Sequence, residues 1–453
     1  DEAIEEIVVK GKVLYSDQVK ALKTPTAIID VPQSLSIVTD DDIRKQGIRE
    51  IGDIVRYTPG VNTSQGEGHR DSVVFRGVRS TADFYQDGAR DDVQYYRSLY
   101  NVDQVEILRG PNALLFGRGG TGGIINRVTK KAVLGEQFGS FDFGVDDFGS
   151  TDLALDYNVQ SAENSALRIN LHVDALENHR DFYDGDRVGL NPTLRVALSD
   201  NTTLDLSYEY ADHERMIDRG IPTANGVPVE ALDNIVFGTS DINLTTLEAD
   251  IFRGSLTHNF SETSKGIFSV TSSEFEKLYQ NLYASGYNLA TNVVTLDGYR
   301  DPTERENLII SGNLINEFQT GSATHTLLIG AELIDTDNKN HRYDSYWSTT
   351  MKDKESFNTT RPLNIAVNSA GVSTNVNFNT KLKSKTTSDI EVTSIYIQDQ
   401  IDVNDNLKLM LGGRLDQFDI TVDDIKAGTS QSRDDDEFSP RAGVIFKPQD
   451  NVS

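Results

Sequence analysis

The chain has 453 residues, 37% of them hydrophobic, with 43 Lys+Arg against 70 Asp+Glu and a formal net charge of −27. That balance excludes the cationic face that phosphate backbones require, and nucleic acid with it as a partner. No run approaches the roughly eighteen apolar residues of a membrane helix, but this does not exclude a membrane barrel, whose strands alternate lipid-facing and lumen-facing residues.

Residues 1 to 23 mix charge with the apolar triplet Ile7-Val8-Val9, which suits either a strand or an extended, unpaired handle. From Thr24 to about Lys131 the composition is that of a compact mixed α/β domain. Thr39 or Asp40 can cap a helix running through Ile43, and Ile48 to Tyr57 offers a second helix with Ile51, Ile54 and Val55 on one face, stopped by Pro59-Gly60. Strand-like runs follow at Val73–Phe75, Phe84–Gln86 and Val105–Leu108. The stretch from Val102 to Lys130 then joins two apolar runs through glycines at 110, 117, 119, 120, 122 and 123. A phosphate cradle is disfavoured there, because strand-like Ile124–Val128 follows where a Gly-Lys-Ser/Thr ending or a helix would be needed.

Near Gln137 the pattern changes to long alternating segments. Leu153, Leu155, Tyr157 and Val159 alternate with polar residues, as do Leu167–Val173, Leu204–Tyr210, Leu327–Leu333 and Leu407–Leu415. Alternation over about nine residues is what a tilted strand needs to cross a bilayer, with one face in lipid and the other in a polar lumen. Short turns (Ser161–Asn164, Ser199–Asn201, Ser261–Ser264, Thr320–Ala323, Asn404–Asn406, Gln449–Asn451) alternate with longer expected loops. The loops are Asn178–Gly189, His213–Thr246, Tyr279–Thr303, Thr336–Ser388 and Asp423–Glu437, with Asp146–Ser150 the exception. A soluble sandwich has no reason to gather its long loops at one end, whereas an outer-membrane barrel does.

The stretch VEILRGP, LLFG and GGIIN within Val102–Lys130, together with Val31-Pro32-Gln33-Ser34, Ile54–Val61 and Val74–Val78, resembles the plug of TonB-dependent outer-membrane receptors. The resemblance implies a TonB box and flexible segment over 1–23, a mixed α/β plug over 24–135, and an antiparallel transmembrane β-barrel over 136–453. About twelve strands can be counted against a family barrel of about 22, so the chain reads as the N-terminal part of a longer receptor. The absence of cysteine suits a periplasm-exposed protein, and the lack of a leader before Asp1 is expected to mark a mature terminus.

The resemblance also implies function: uptake of a ferric siderophore across the bacterial outer membrane by a monomer. The energy-transducing TonB complex would pull on Glu5-Glu6-Ile7-Val8-Val9, with outer-membrane lipid and lipopolysaccharide as surroundings. The segment Phe84–Tyr100, with Tyr85, Arg90, Tyr95, Tyr96, Arg97 and Tyr100, most resembles the branch that takes catecholate siderophores. Guanidinium charge and aromatic faces complement a flat aromatic anion, although the same tyrosines could pack the plug while the arginines pair with Asp87, Asp91 and Asp92. Arg76 and Arg109 are implied to latch the plug to barrel glutamates. The seven histidines show no metal-ligand spacing, no catalytic constellation is present, and no cofactor beyond the transported ferric siderophore is expected. The alternatives are a surface barrel with a fixed plug, serving as adhesin or phage or bacteriocin receptor, or uptake of haem, cobalamin or a glycan.

Overall fold

The computed structural model describes residues 19–449 other than 25, 65, 111, 112, 118 and 121, together with residue 452. The segment Glu5–Val9 lies outside the described residues.

The N-terminal domain is built on strands β1 (Ser34–Thr39), β2 (Val61–Thr63), β3 (Val73–Phe75), β4 (Val78–Ser80), β5 (Phe84–Gln86), β6 (Ala89–Arg90), β7 (Val102–Arg109) and β8 (Gly123–Thr129), with helices α1 (Asp40–Gln46) and α2 (Ile51–Arg56). The main sheet runs β1-β7-β8-β5-β6 and is antiparallel except where β8 pairs with β5. Helix α1 starts where expected: the Thr39 hydroxyl accepts the Asp42 N–H while the Asp42 carboxylate accepts the Thr39 N–H, and Gly47 ends the helix in the left-handed region. Ile51, Ile54 and Val55 of α2 pack with Ile43 against Val105 and Ile107 of β7, and with Phe75 and Ile125. Leu108 points to the opposite face, into a second cluster with Val19, Leu22 and Ile124. Covered on both sides, β7 reads as a continuous apolar run rather than an alternation. Gly123 is needed at its position, since a Cβ there would lie 2.5 Å from the Leu108 carbonyl oxygen and 2.7 Å from the Phe75 ring.

Twelve strands then follow one another in sequence order through a meandering antiparallel sheet, to which the short strand Glu355–Asn358 adds against Val293–Thr320. They are β9 (Phe138–Val145), β10 (Thr151–Ala162), β11 (Ser165–Glu177), β12 (Asp184–Ser199), β13 (Thr202–Met216), β14 (Leu244–Asn259), β15 (Ser264–Asn288), β16 (Val293–Thr320), β17 (Ala323–Trp347), β18 (Val376–Asn404), β19 (Leu407–Asp424) and β20 (Thr429–Phe446). Its burial is the reverse of a soluble protein's. On β18, Ile395 and Ile397 are 57% and 49% exposed, while the residues alternating with them, Ser394, Tyr396 and Gln398, are buried. Apolar outside and polar inside is the pattern of a lipid-facing barrel wall. Among the described residues the edge strands β9 and β20 do not pair with each other.

The expected loops at Tyr279–Thr303, Thr336–Ser388 and Asp423–Glu437 are corrected by the structure. Most of Tyr279–Thr303 is strand, β17 and β18 take up much of 336–388, and only a short turn separates β19 from β20. Outward residues entering these stretches are charged: Lys339 stands opposite Glu304, and Asp337 opposite Glu306. Backbone pairing continues where apolar alternation stops, so hydrophobic periodicity loses the strand before the ladder ends. The two long connections are 217–243 and 348–375. Leu232, Phe237 and Leu363 from these connections pack with Leu282, Val294 and Trp347 of the extended strands in a core of their own.

Candidate functional site

The N-terminal domain packs into the curve of the sheet through polar contacts. Glu50 faces Arg215 at 3.3 Å and Arg187 at 3.8 Å, Asp92 pairs with Arg305 at 2.6 Å, and Lys130 with Asp156 at 3.2 Å. Lys23 reaches Tyr396 Oη at 3.0 Å and Glu332 at 3.8 Å. Arg109 instead donates to the Pro59 carbonyl at 2.9 Å, and Arg76 is exposed with a left-handed φ of 46°. Neither has a carboxylate partner among the described residues, and burial, with Arg76 alongside, lowers the Arg109 pKa.

The segment Phe84–Tyr100 supplies scaffolding. Arg97 is 1% exposed, and its guanidinium donates to the Asp91 carboxylate (2.8 Å), to the carbonyls of Asp91 (2.8 Å), Val93 (2.7 Å) and Tyr95 (3.2 Å), and to Asp71 (3.4 Å). Arg127 and Tyr95 donate to the same Asp91 oxygen at 2.8 and 3.0 Å. Burial alone would raise the Asp91 carboxyl, but Arg97 and Arg127 hold it below the usual range. Burial wins at Asp71, pushing it up to about 6 despite Arg97. Tyr85 is buried against Phe116, and Arg90 donates to its hydroxyl at 3.2 Å. Tyr96 lies under Arg215, 4.3 Å from guanidinium to ring centroid, and Tyr100 stacks on His172 at 5.5 Å. Arg97, Tyr95 and Tyr85 are thus engaged inside the plug and turned away from solvent, and Tyr96 and Tyr100 seat the plug on the wall.

A different Arg/Tyr cluster surrounds the plug turn Gly66–Arg70. The Tyr279 hydroxyl donates to the Glu67 carbonyl at 3.0 Å, and the Tyr279 ring stacks on His69 at 3.7 Å. The Glu67 carboxylate faces Arg70 at 3.0 Å and Arg219 at 3.3 Å. Arg219 lies 4.2 Å from the Tyr283 ring centroid and Arg342 4.2 Å from that of Tyr299, with Arg342 paired to Asp301. Lys277, on the same wall, has no hydrogen-bond or ion-pair partner among the described residues. The connection 217–243 comes down onto this turn: a Cβ on Gly68 would sit 2.6 Å from the Asp218 carbonyl oxygen. Burial pushes the His69 imidazole down to about 3, with Lys277 adding to the effect, so it is neutral at ordinary pH. The result is a cationic and aromatic vestibule over a plug turn, a combination suited to a flat anion. The tyrosines and arginines of 279–300 together with Arg342 are the available sequence signal, hidden because apolar alternation fails in Tyr279–Thr303 and Thr336–Ser388 and both stretches look like loop.

Two family models match the chain: the TonB-dependent receptor plug domain over residues 27–124, and the TonB-dependent receptor-like β-barrel over residues 189–453. The probable TonB-dependent siderophore receptor PiuA of Acinetobacter baumannii is 25% identical over 97% of this chain and 62% of its own length. The ferrioxamine B receptor of Salmonella typhimurium is 25% identical over 94% and 60%. The catecholate siderophore receptor Fiu of Escherichia coli O157:H7 is 27% identical over 48% and 29%. The crystal structure of the Acinetobacter baumannii PiuA superposes with a TM-score of 0.85 at 23% identity, over 97% of this chain and 66% of that one. The chain thus spans about three fifths of the length of the curated relatives it matches over nearly all of its sequence. With a plug model and a barrel model matched in order on a plug seated against a lipid-facing wall, the chain belongs to the TonB-dependent receptor family.

Proposed function

We propose that the chain forms the plug and part of the barrel of an outer-membrane receptor that takes up a ferric siderophore of the catecholate type, driven by the TonB complex. The observation that carries this reading is the vestibule: Arg219, Arg342 and Lys277 with Tyr283 and Tyr299, set above the plug turn at Glu67–Arg70, which Tyr279 anchors from the wall. Guanidinium groups over aromatic rings offer both charge and flat faces to a tris-catecholate chelate. A pull on Glu5–Val9 would reach the plug through Val19, Ala21 and Leu22, which are packed in its core. The relatives' names include both catecholate and ferrioxamine receptors, so the vestibule chemistry is what favours the first.

Trp347 is the one tryptophan within these 453 residues and is fully buried in the core beneath the long connections, so the part of the fluorescence that Trp347→Phe removes reports their movement. Fluorescence of the receptor is titrated with ferric tris-catecholate, ferrioxamine and cobalamin. The expected result is a response to the catecholate chelate, weakened at least tenfold in Arg219→Ala, with ⁵⁵Fe uptake lost and binding kept when Glu5–Val9 are deleted. Response to none of the three, or uptake that survives the deletion, would overturn the reading.

A further inference from the structure

On its outer face the wall carries a depression defined by cross-strand register. Leu256, Phe268, Gly312, Ala331, Ile395 and Leu415 stand side by side from β14 to β19. The next outward row toward the short turns is Gly266, Leu314, Ile329, Ile397 and Gly413. The large side chains of both rows rise around a floor that has almost none: an added Cβ on Gly312 would meet nothing within 4 Å, and Ala331 is its cross-strand partner. At each end a ring folds over a glycine. A Cβ on Gly266 would lie 2.9 Å from the Phe260 ring, and one on Gly413 3.0 Å from the Phe438 ring. The result is an apolar trough of about 1060 Å³. It runs obliquely, because Gly266 closely follows the turn at 260–263 while Gly413, in the same row, is well inside β19. Its two ends differ in polarity. His258 borders the lower end, with Nδ1 2.8 Å from Thr202 Oγ1 and Nε2 without a partner among the described residues, and exposed Glu262 is in the adjoining turn. Beyond the upper end the outward residues are carboxylates: Asp436 opposite Gln417, and Asp434 opposite Asp419.

We propose that the trough seats an acyl chain of a zwitterionic diacyl phospholipid, with its headgroup at His258 and Glu262, from the leaflet on the short-turn side, which outer-membrane barrels keep toward the periplasm. The proposal rests on the lipid-facing character of the wall and stands apart from the uptake reading. In hydrocarbon, association is driven by van der Waals packing and not by expulsion of water. A trough surrounds a single chain on three sides, so a chain there gains dispersion contacts that a flat wall does not offer, and an unfilled trough forfeits them. A second copy fits less well, since the outward-curving wall of another barrel would rest on the rims and leave the Gly312–Ala331 floor empty. Polarity chooses the leaflet. With Nδ1 accepting the Thr202 hydroxyl, the His258 Nε2–H is a donor for a phosphate oxygen, and Glu262 complements an ammonium. At the other end Asp419, Asp434 and Asp436 repel the phosphates of a lipid anchored there.

The full-length receptor is placed in phosphatidylglycerol vesicles with a trace of phosphatidylethanolamine that carries a diazirine midway along one acyl chain, and after irradiation the adducts are mapped by mass spectrometry. Labelling of Phe268, Gly312 and Ala331 is expected to be at least fivefold above that of Tyr157 and Val173, exposed outward residues elsewhere on the wall. Gly312→Phe and, separately, Ala331→Phe fill the floor and should lower it at least fivefold with labelling of Tyr157 and Val173 unchanged, and heat-modifiable electrophoretic mobility shows that each variant is folded. His258→Ala/Glu262→Ala should lower it at least threefold. Excess unlabelled phosphatidylethanolamine should compete where lipopolysaccharide does not, a result that needs no substitution and decides alone if neither floor variant folds. Even labelling over the wall, or labelling that survives both floor variants, overturns the proposal as ordinary bilayer contact, and unchanged labelling without His258 and Glu262 overturns the headgroup assignment. Displacement by lipopolysaccharide assigns the trough to the other leaflet's lipid, and a dimer in native mass spectrometry that Gly312→Phe dissociates assigns it to a second copy; either result overturns the proposal.

Discussion

The buried carboxylate of Glu106 accepts the backbone N–H of Ala21 at 2.8 Å. It also accepts the Lys20 N–H at 2.6 Å and the amides of Gln104 and Asn126 at 2.7 and 2.9 Å. Four donors converge on one side chain, which ties the segment leading from the N-terminus to β7, an interior strand of the plug sheet. Glu106→Ala strands these donors, and a buried unmet donor costs on the order of 1–3 kcal/mol. Hydrogen exchange over residues 19–26 should speed up by roughly 100-fold, equivalent to about 3 kcal/mol. Unchanged exchange there would show that Glu106 does not hold the segment.

Arg97 and Arg219 should separate stability from binding. Arg97→Ala leaves Asp91 and Asp71 buried with less compensation, a loss of about 3–5 kcal/mol for a broken buried pair. Its effect should appear as a lower unfolding midpoint of the plug. Arg219→Ala, at a part-exposed site, should shift that midpoint little and weaken ferric tris-catecholate binding. The reverse assignment of the two phenotypes would return the ligand site to the Phe84–Tyr100 segment.

Tyr100 fits against the wall because residue 189 has no side chain: a Cβ there would lie 2.6–2.8 Å from the phenol ring. Gly189→Val should push the ring off its stack with His172 and loosen the plug seat by about 1–3 kcal/mol, the usual cost of overpacking. Protease sensitivity of the plug measures this. Gly312, where an added Cβ meets open space, is the matched substitution expected to have no such effect.

His69 makes the plug turn sensitive to acid. Its folded-state pKa of about 3 lies below the ordinary value of 6.5 because burial, Lys277 and Arg70 oppose the charged form, while Glu67 favours it. An opened turn takes up a proton below pH 6.5 and the packed turn does not. Stability is therefore fully present above about 6.5 and is lost as pH falls toward 3, by up to about 1.4 kcal/mol per unit. Exchange of residues 66–70, corrected for intrinsic rates, should rise between pH 7.5 and 5.5, and His69→Asn should flatten the profile. A turn equally protected at both values would contradict this account.

Local chemistry made much of the fold legible. Thr39 with Asp42 and Gly47 mark both ends of α1, and period-two apolar residues such as Leu153, Leu155 and Tyr157 mark wall strands, because capping and lipid exposure act within a few residues. The same reasoning stopped short on β15 to β20, where charged outward residues such as Glu276 and Glu304 lie outside the apolar band and alternate without hydrophobic contrast. Ladder hydrogen bonds hold those extensions, and they depend on a neighbouring strand rather than on the residue itself.

The candidate site divides the same way. The sequence by itself determined that arginines and tyrosines gather in Phe84–Tyr100, that a plug precedes a wall, and that alternating strands build that wall. Only the tertiary structure decided that Arg97 is enclosed by Asp91 and Asp71, and that the part-exposed guanidinium and phenol groups belong to Arg219, Tyr283 and Tyr299. Glu67 meets Tyr279 and Tyr299 across 212 and 232 residues of chain. Burial and long-range contact are properties of the packed whole, and no local pattern encodes which of two similar clusters is left facing solvent.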